Sequence, residues 1–121
     1  MNDALDSFPH QRLDAFHVAR DFCVSVRQSL RHLPASRGGL RDQLERASLS
    51  TVLSIAEGAN RRSRADKRHR FVIARGECGE CAAALEIASA LGLLPMNTAN
   101  ALRTTADRIG AMLAGLIRRL E

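Results

Sequence analysis

The residues of this chain best suited to binding chemistry are the basic side chains between Arg61 and Arg75. That segment holds seven basic residues and one acidic residue, while the other 106 residues hold eleven basic and twelve acidic ones. The excess behind the net charge of +5 therefore lies within fifteen positions. Six of the seven basic residues are arginines, whose planar guanidinium groups match the geometry of phosphate oxygens. Such a concentration of charge indicates a site for a polyanion.

Within this segment the candidate nucleic-acid-binding residues are Arg61, Arg62, Arg64, Lys67, Arg68 and Arg75. Three of them, Arg64, Arg68 and Arg75, fall within about 40° of one another on a helix. Positive charge at the start of a helix opposes the helix dipole by roughly a few tenths of a kcal/mol, which favours a functional reason for its presence. A solvated helix start with ordinary surface arginines is the alternative.

Aromatic residues make up 3% of the chain, and Trp and Tyr are absent. Platforms that stack single-stranded nucleic acid need aromatic rings. We therefore expect contacts with RNA or DNA to depend on phosphate charge and shape, with little reading of base sequence.

Cys78 and Cys81 have the Cys-x-x-Cys spacing of redox and zinc sites. Redox chemistry needs the first cysteine at a helix N-terminus, where the dipole lowers its pKa. A zinc site needs further ligands, yet no second pair lies nearby and His69 falls about 180° away round the helix. The two cysteines lie on the apolar face of a predicted helix, so the pattern predicts core packing. Bound zinc or a low-pKa thiol is the alternative.

Three sequence patterns that would indicate catalysis or phosphate binding are missing, although the composition itself would allow a Ser/His/Asp triad. Di-iron bundles need Glu-x-x-His on two helices, and no Glu here is followed by His three residues on. A nucleophile elbow and a glycine-rich phosphate loop are also absent from the sequence. We expect a protein that is not an enzyme and that binds no metal and no cofactor.

The sequence also bears on the compartment. Three cysteines are an odd number, which argues against a disulfide framework and predicts a reducing, cytoplasmic environment. The acidic start, Met1–Asp6, lacks the apolar core of a signal peptide. No run approaches the ~18–20 apolar residues that a membrane span needs.

Four stretches of the chain show apolar residues at steps of three and four, separated by turn residues. They predict helices over about 12–33, 40–60, 64–91 and 97–120. Ser63 with Asp66 three residues on is a variant of the capping box that opens the third helix, and Asn97 is the expected cap of the fourth. No stretch alternates as a strand does.

These stretches predict an all-α protein. Helices of this length joined by short turns form an antiparallel up-down-up-down four-helix bundle. We assign the bundle domain to residues 12–121, preceded by an N-terminal tail of residues 1–11.

The second and third helices carry a second apolar stripe beside the one that faces the core. The expected oligomer-interface residues are Leu49, Val52, Leu53, Ala56, Ile73, Glu80 and Ile87. A helix that is apolar on two sides is buried on two sides, so the pattern predicts self-association through these two helices. Scattered surface apolar residues, which are common, are the alternative.

The run Ser54-Ile55-Ala56-Glu57-Gly58, followed by Arg61-Arg62-Ser63, resembles a bacterial family. Its members are four-helix bundle proteins first noticed as reading frames in intervening sequences of 23S rRNA genes. The resemblance extends from about Leu13 to Leu94. This chain departs from the usual family pattern at Ser54, where Asn is common, and at Glu77, where Ser is common.

The resemblance implies a small homopentameric bundle with no established catalytic activity. The accessory variability determinant of diversity-generating retroelements is a similar basic protein, which implies RNA or DNA and a reverse transcriptase as partners. We therefore expect a non-enzymatic homo-oligomer that binds nucleic acid with low sequence specificity through the arginine-rich segment. The rival hypothesis is a homo-oligomeric protein-interaction scaffold in which the arginines are structural.

Overall fold

The computed structural model describes residues 7–121 and consists of helices joined by short turns. A short 3-10 helix precedes four long helices, whose bounds are α1 Asp14–Ser29, α2 Leu40–Asn60, α3 Arg64–Ala90 and α4 Met96–Arg119; the 3-10 helix spans Pro9–Arg12. No strand occurs in the described part of the chain. Each long helix packs against its neighbours in sequence, and α4 returns to α1. The predicted all-α four-helix bundle is confirmed.

The core is built from the apolar stripe of each helix. On α1 the buried positions include Ala15, Ala19, Phe22 and Val26 at steps of three and four. The largest fully buried side chains on the other helices are Leu44, Ile55, Leu85, Ile109 and Leu113. Alanine at many core positions lets the helices approach one another closely. Truncation of one of the buried leucines to Ala is expected to destabilise the fold by about 2–5 kcal/mol.

The helix ends follow the predictions in part. The side chain of Ser63 accepts a hydrogen bond of 3.0 Å from the amide of Asp66, so the predicted cap of α3 is confirmed. The predicted cap at Asn97 is wrong, because α4 begins at Met96 and its N-cap residue is Pro95. The side chain of proline has no group that could accept a capping hydrogen bond. Gly92 follows α3 and has a φ of +69°, the left-handed conformation in which glycine commonly ends a helix.

The N-terminal tail assigned to residues 1–11 is described only from residue 7. Within that part, residues 9–12 form the 3-10 helix, which packs on α2. Asn60 contributes to this contact through a 2.9 Å hydrogen bond between its Nδ2 and Nδ1 of His10. No helix within residues 7–121 is long and apolar enough to cross a membrane.

Gly58 near the end of α2 packs directly against Phe71 in the first turns of α3. A Cβ built on Gly58 would lie 2.6 Å from Cε1 of Phe71 and 3.2 Å from Cβ of Arg70. Real Cβ atoms do not approach other atoms this closely, so only glycine fits without a shift. The contact fixes the end of α2 against the start of α3 and thereby sets the geometry of the junction that carries the arginines.

Candidate nucleic-acid interface

The antiparallel topology gathers four chain segments at one end of the bundle. These are the start of α1, the end of α2, the start of α3 and the end of α4. Basic side chains from all four segments meet there, and we call this set the basic end: Arg12, Arg61, Arg62, Arg64, Lys67, Arg68, Arg118 and Arg119. The sequence analysis did not assign Arg12, Arg118 or Arg119 to the site. The predicted topology was the signal that would have found them, because an up-down bundle places the last turn of α4 beside the first turn of α3.

Two of these cations donate hydrogen bonds to carbonyl groups at helix C-termini. Nζ of Lys67 lies 2.8 Å from the carbonyl oxygen of Ala59, and Nη2 of Arg64 lies 2.6 Å from that of Arg119. The last carbonyls of a helix lack partners within the helix and carry the negative end of its dipole. Both cations are therefore structural caps as well as surface charges.

Two further arginines pair with exposed carboxylates. Arg61 lies 3.3 Å from Glu57, and Arg68 lies 3.3 Å from Glu121. Arg70 approaches the same Glu57 at 3.7 Å. All these side chains are between one third and three fifths exposed. Exposed pairs of this kind contribute about 0–1 kcal/mol, so a phosphate can replace the carboxylate at low cost.

The remaining arginines of the basic end differ in their contacts. The side chains of Arg62, Arg118 and Arg119 have no hydrogen bond or ion pair with any residue in the range 7–121. Arg75 lies apart from the basic end, because Nε of Arg75 donates to the carbonyl oxygen of Gly110 at 3.2 Å. It stands seven residues along α3 from Arg68, about 10 Å at the rise of an α-helix. The structure thus brings five of the six predicted residues together and leaves Arg75 on the side of the bundle.

A cavity of about 440 Å³ opens at the basic end. Its walls are Pro9, Arg12, Leu13, Ala59, Arg64, Lys67, Phe71, Leu116, Arg119 and Leu120. One part of this lining is aliphatic and aromatic, and the other part consists of four cations. Sequence reasoning missed the cavity, because its walls come from the 3-10 helix, from Leu13 and from α2, α3 and the end of α4, which are far apart in sequence.

The expected oligomer-interface residues lie mostly on one side of the α2–α3 pair. Leu49, Leu53 and Ile87 are 43%, 55% and 51% exposed. Ala56 and Ile73 are half-buried, and Glu80 is exposed without a partner among residues 7–121. Val52 differs, because it is only 7% exposed and belongs to the core of the chain itself. It turns inward at the border between the two apolar stripes of α2, which the helical angle alone did not resolve. We call Leu49, Leu53 and Ile87 the apolar face.

Cys78 and Cys81 lie in the core, as predicted. Burial raises the pKa of Cys78 to about 11, with a smaller contribution from Asp107. Burial likewise raises the pKa of Cys81 to about 12. Both thiols are therefore protonated near neutral pH. The described residues contain no cluster of three metal-binding side chains.

Comparison with known proteins places the chain. Residues 11–115 match the family model of the 23S rRNA-intervening sequence protein. The chain belongs to this family. A protein of unknown function from Bacteroides thetaiotaomicron VPI-5482, of the S23 ribosomal protein family, has a solved structure with a TM-score of 0.79 to this one. The two chains are 20% identical, and the match covers 86% of this chain and 98% of that chain, which shows a shared fold. No curated protein matches at a significant level.

The two positions at which the sequence departs from the resembled pattern contact each other in this chain of the 23S rRNA-intervening sequence family. Ser54 and Glu77 lie on facing sides of α2 and α3, and Oγ of Ser54 donates to Oε1 of Glu77 at 2.7 Å. This hydrogen bond is a polar link between the two helices.

Proposed function

We propose that this protein is a non-enzymatic homo-oligomer that binds RNA or DNA with little sequence preference through the basic end. The observation that carries the proposal is the cationic lining of that end. Arg64, Lys67 and Arg119 contribute to the wall of its cavity, and no Asp or Glu of residues 7–121 is part of that wall. Arg62 and Arg118 add exposed guanidinium groups without partners in the same part of the chain. Groups of this kind bind phosphates by direct contact and by release of counterions.

Self-association multiplies this surface. In a cyclic assembly built on the apolar face, with its axis along the bundle, every basic end points to the same side. The resemblance to pentameric relatives leads us to expect five copies. Several weak phosphate-binding surfaces on one rigid ring raise the affinity for a long polyanion far above that of one subunit. A reverse transcriptase or another nucleic-acid enzyme is the kind of protein partner that such a ring would serve.

The nucleic-acid proposal is tested by a salt series with charge-matched variants. Affinity for a structured RNA and for a DNA duplex of equal length is measured for the wild type, for Arg62→Gln with Arg118→Gln, and for Arg31→Gln with Arg37→Gln. All four arginines are exposed and lack partners among the described residues, so each double variant removes two charges without removing a contact. Arg31 and Arg37 lie at the opposite end of the bundle.

We expect the basic-end variant to bind more weakly and to lose about two units of the slope of log affinity against log salt, since each phosphate contact contributes roughly 0.9. The variant at the opposite end should retain the wild-type slope. Equal losses in both variants would show that net charge, and not the basic end, determines binding. Absence of binding in the wild type would reject the nucleic-acid role.

The scaffold hypothesis is the second candidate, and the exposed apolar face favours it. We expect Leu53→Glu to dissociate the oligomer, because each subunit would place a charge in the interface. Val24→Glu is the matched control, since Val24 is 50% exposed but lies on α1, away from this face. Sedimentation velocity measures the mass of both variants. A wild type that sediments as a monomer would reject self-association. A stable oligomer without affinity for nucleic acid would establish the scaffold in its place.

A further inference from the structure

The cavity at the basic end has two kinds of wall that together select a ligand. Its cationic wall consists of Arg12, Arg64, Lys67 and Arg119. Its apolar wall consists chiefly of Leu13, Phe71, Leu116 and Leu120. At about 440 Å³ the cavity falls within the range of roughly 300–1,000 Å³ that is usual for small-molecule sites.

The cations of this wall are held in place but keep most of their donors. Lys67 uses one of its three N–H donors on the carbonyl of Ala59, and Arg64 uses one of its five on the carbonyl of Arg119. These bonds fix the side chains at the rim, which lowers the entropy lost when an anion binds. Arg119 reaches the same cavity with a side chain that has no partner in the described part of the chain.

The charge of the cavity is not balanced from within. No carboxylate of residues 7–121 lines it. The C-termini of α2 and α4 contribute about −0.5 each through their helix dipoles, so Arg64, Lys67 and Arg119 by themselves leave a net charge of about +2 at the cavity. An excess of this size suits a doubly charged phosphate better than a single carboxylate.

The apolar wall favours a ligand larger than inorganic phosphate. A bare anion would occupy the cationic wall and leave the half-buried leucines of the apolar wall uncovered. Burial of that wall contributes about 25 cal/mol per Å² only if the ligand also carries an apolar or flat part. A phosphate joined to a ring system of nucleobase size fits both walls and the volume.

We propose that this cavity binds a nucleoside phosphate, either as the 5′-phosphorylated terminal nucleotide of a strand or as a free nucleotide. In the first form the inference deepens the proposed function and rests on it: the basic end holds the strand by its phosphates, and the cavity holds its end. In both forms the phosphate contacts Arg64, Lys67 and Arg119, and the base lies against Leu116 and Leu120.

Calorimetric titration tests the proposal with three probes: a 5′-phosphorylated trinucleotide, the same trinucleotide with a 5′-hydroxyl, and adenosine 5′-monophosphate. The wild type should bind the phosphorylated trinucleotide at least roughly tenfold more tightly than the hydroxyl form, as expected for charge-assisted hydrogen bonds to the added phosphate. Monophosphate binding equal to that of the trinucleotide identifies a free nucleotide as the ligand. Tighter binding of the trinucleotide identifies the strand end. Both results support the proposal.

Two variants assign the effect to the cavity. Arg119→Gln should abolish the preference for the 5′-phosphate, while Arg118→Gln, which removes the same charge from the neighbouring residue outside the cavity, should retain it. Leu120→Trp keeps the charge and fills the cavity, so it should weaken binding of all three probes. A thermal melt shows that each variant is folded.

The proposal is overturned if the wild type does not distinguish the two trinucleotides, or if Arg119→Gln and Arg118→Gln behave alike. It is also overturned if lysophosphatidic acid binds more tightly than either nucleotide probe, because the ligand would then be a lipid. A failure of this kind leaves the salt-dependent binding of duplexes untouched. Loss of duplex binding with a retained 5′-phosphate preference would reject the proposed function and keep a free nucleotide as the ligand of the cavity.

Discussion

Each end of the bundle has a cavity lined by arginines, and the two cavities differ in what accompanies the arginines. The end opposite the basic end carries the α1–α2 and α3–α4 turns, and we call it the turn end. A cavity of about 260 Å³ at this end is lined by Arg37, Arg41 and Arg46 together with Asp42 and Glu45. Nε of Arg41 lies 2.9 Å from Glu45, and Arg46 lies 3.7 Å from Asp42. At the basic end, no carboxylate of the described residues lines the cavity, and two of its cations, Arg64 and Lys67, donate to main-chain carbonyls.

The difference shows that pairing and neutralisation are separate properties. A carboxylate neutralises the charge of the arginine that it binds, so that the pair presents no net charge to a distant ligand. A carbonyl group carries no net charge, so Lys67 and Arg64 are held in position while their charge remains available. The same residue types therefore stabilise one end and leave a binding potential at the other.

The largest expected difference between the ends and the middle of the bundle is a loss of folding stability at alkaline pH. Arginines at both ends keep their charge, whereas the buried thiols of Cys78 and Cys81 have pKa values raised to about 11 and 12 from an ordinary value of 9.0. A raised pKa in the folded state contributes stability that is complete below pH 9 and is lost as the pH rises toward 11–12. By pH 10.5 we expect a loss on the order of 2 kcal/mol per thiol.

Chemical denaturation at pH 8 and pH 10.5 measures this loss. The variant with Cys78→Ala and Cys81→Ala serves as the control, because it removes the two buried thiols and keeps every charged residue of both ends. Its stability should change much less between the two pH values. An equal change in both proteins would place the alkaline loss at the ends of the bundle.

The next largest effect on stability is expected at Gly58, where the end of α2 contacts the start of α3. Gly58→Ala gains about 1 kcal/mol in helix propensity, but its Cβ would lie 2.6 Å from Phe71. Overpacking of this kind costs about 1–3 kcal/mol, so the variant should be less stable by denaturation. Gly76→Ala is the control, since no atom lies within 4 Å of its added Cβ, and it should stabilise α3. If both alanines stabilise the protein, the close contact between α2 and α3 does not determine the basic end.

A smaller effect distinguishes a cap from a free charge. Lys67→Met keeps an unbranched, flexible chain but removes the donor to the carbonyl of Ala59, so we expect a loss of about 1 kcal/mol. Arg62→Met removes the same charge next to the same helix end without removing a contact, and its stability should change by less than about 0.5 kcal/mol. Thermal melts at low salt measure both variants. Equal melting temperatures would contradict the capping role.

The smallest effect lies at the turn end. Arg46 is 73% exposed and 3.7 Å from Asp42, whereas Arg41 is 23% exposed and 2.9 Å from Glu45. A double-mutant cycle should give roughly 0–0.3 kcal/mol for the first pair and a larger coupling, up to about 1 kcal/mol, for the second. Raising the salt concentration should reduce both couplings. A stronger coupling for Arg46 would contradict the exposure argument.

The bundle itself could be predicted from the sequence. The bounds predicted for α2, 40–60, agree with the structure, in which the helix begins after Gly39 and ends before Arg61. The cap at Ser63 was also predictable from a local pattern. The site was predictable only in part. The partners of Lys67 and Arg64 are main-chain carbonyls, which no pattern of side chains reveals, and Arg12 and Arg119 are separated by more than a hundred positions. Val52 is buried in the core of the chain itself, and its angle on the helix lies between the two stripes.

The caps at Lys67 and Arg64 have a consequence for how this surface can change over time. Random substitution of an ordinary surface arginine removes charge and leaves the fold intact. A charged surface whose residues have no structural role therefore loses its charge easily. Here the loss of either cation also exposes the end of a helix and lowers stability. Selection for a folded chain alone therefore keeps two positive charges at the rim of the cavity.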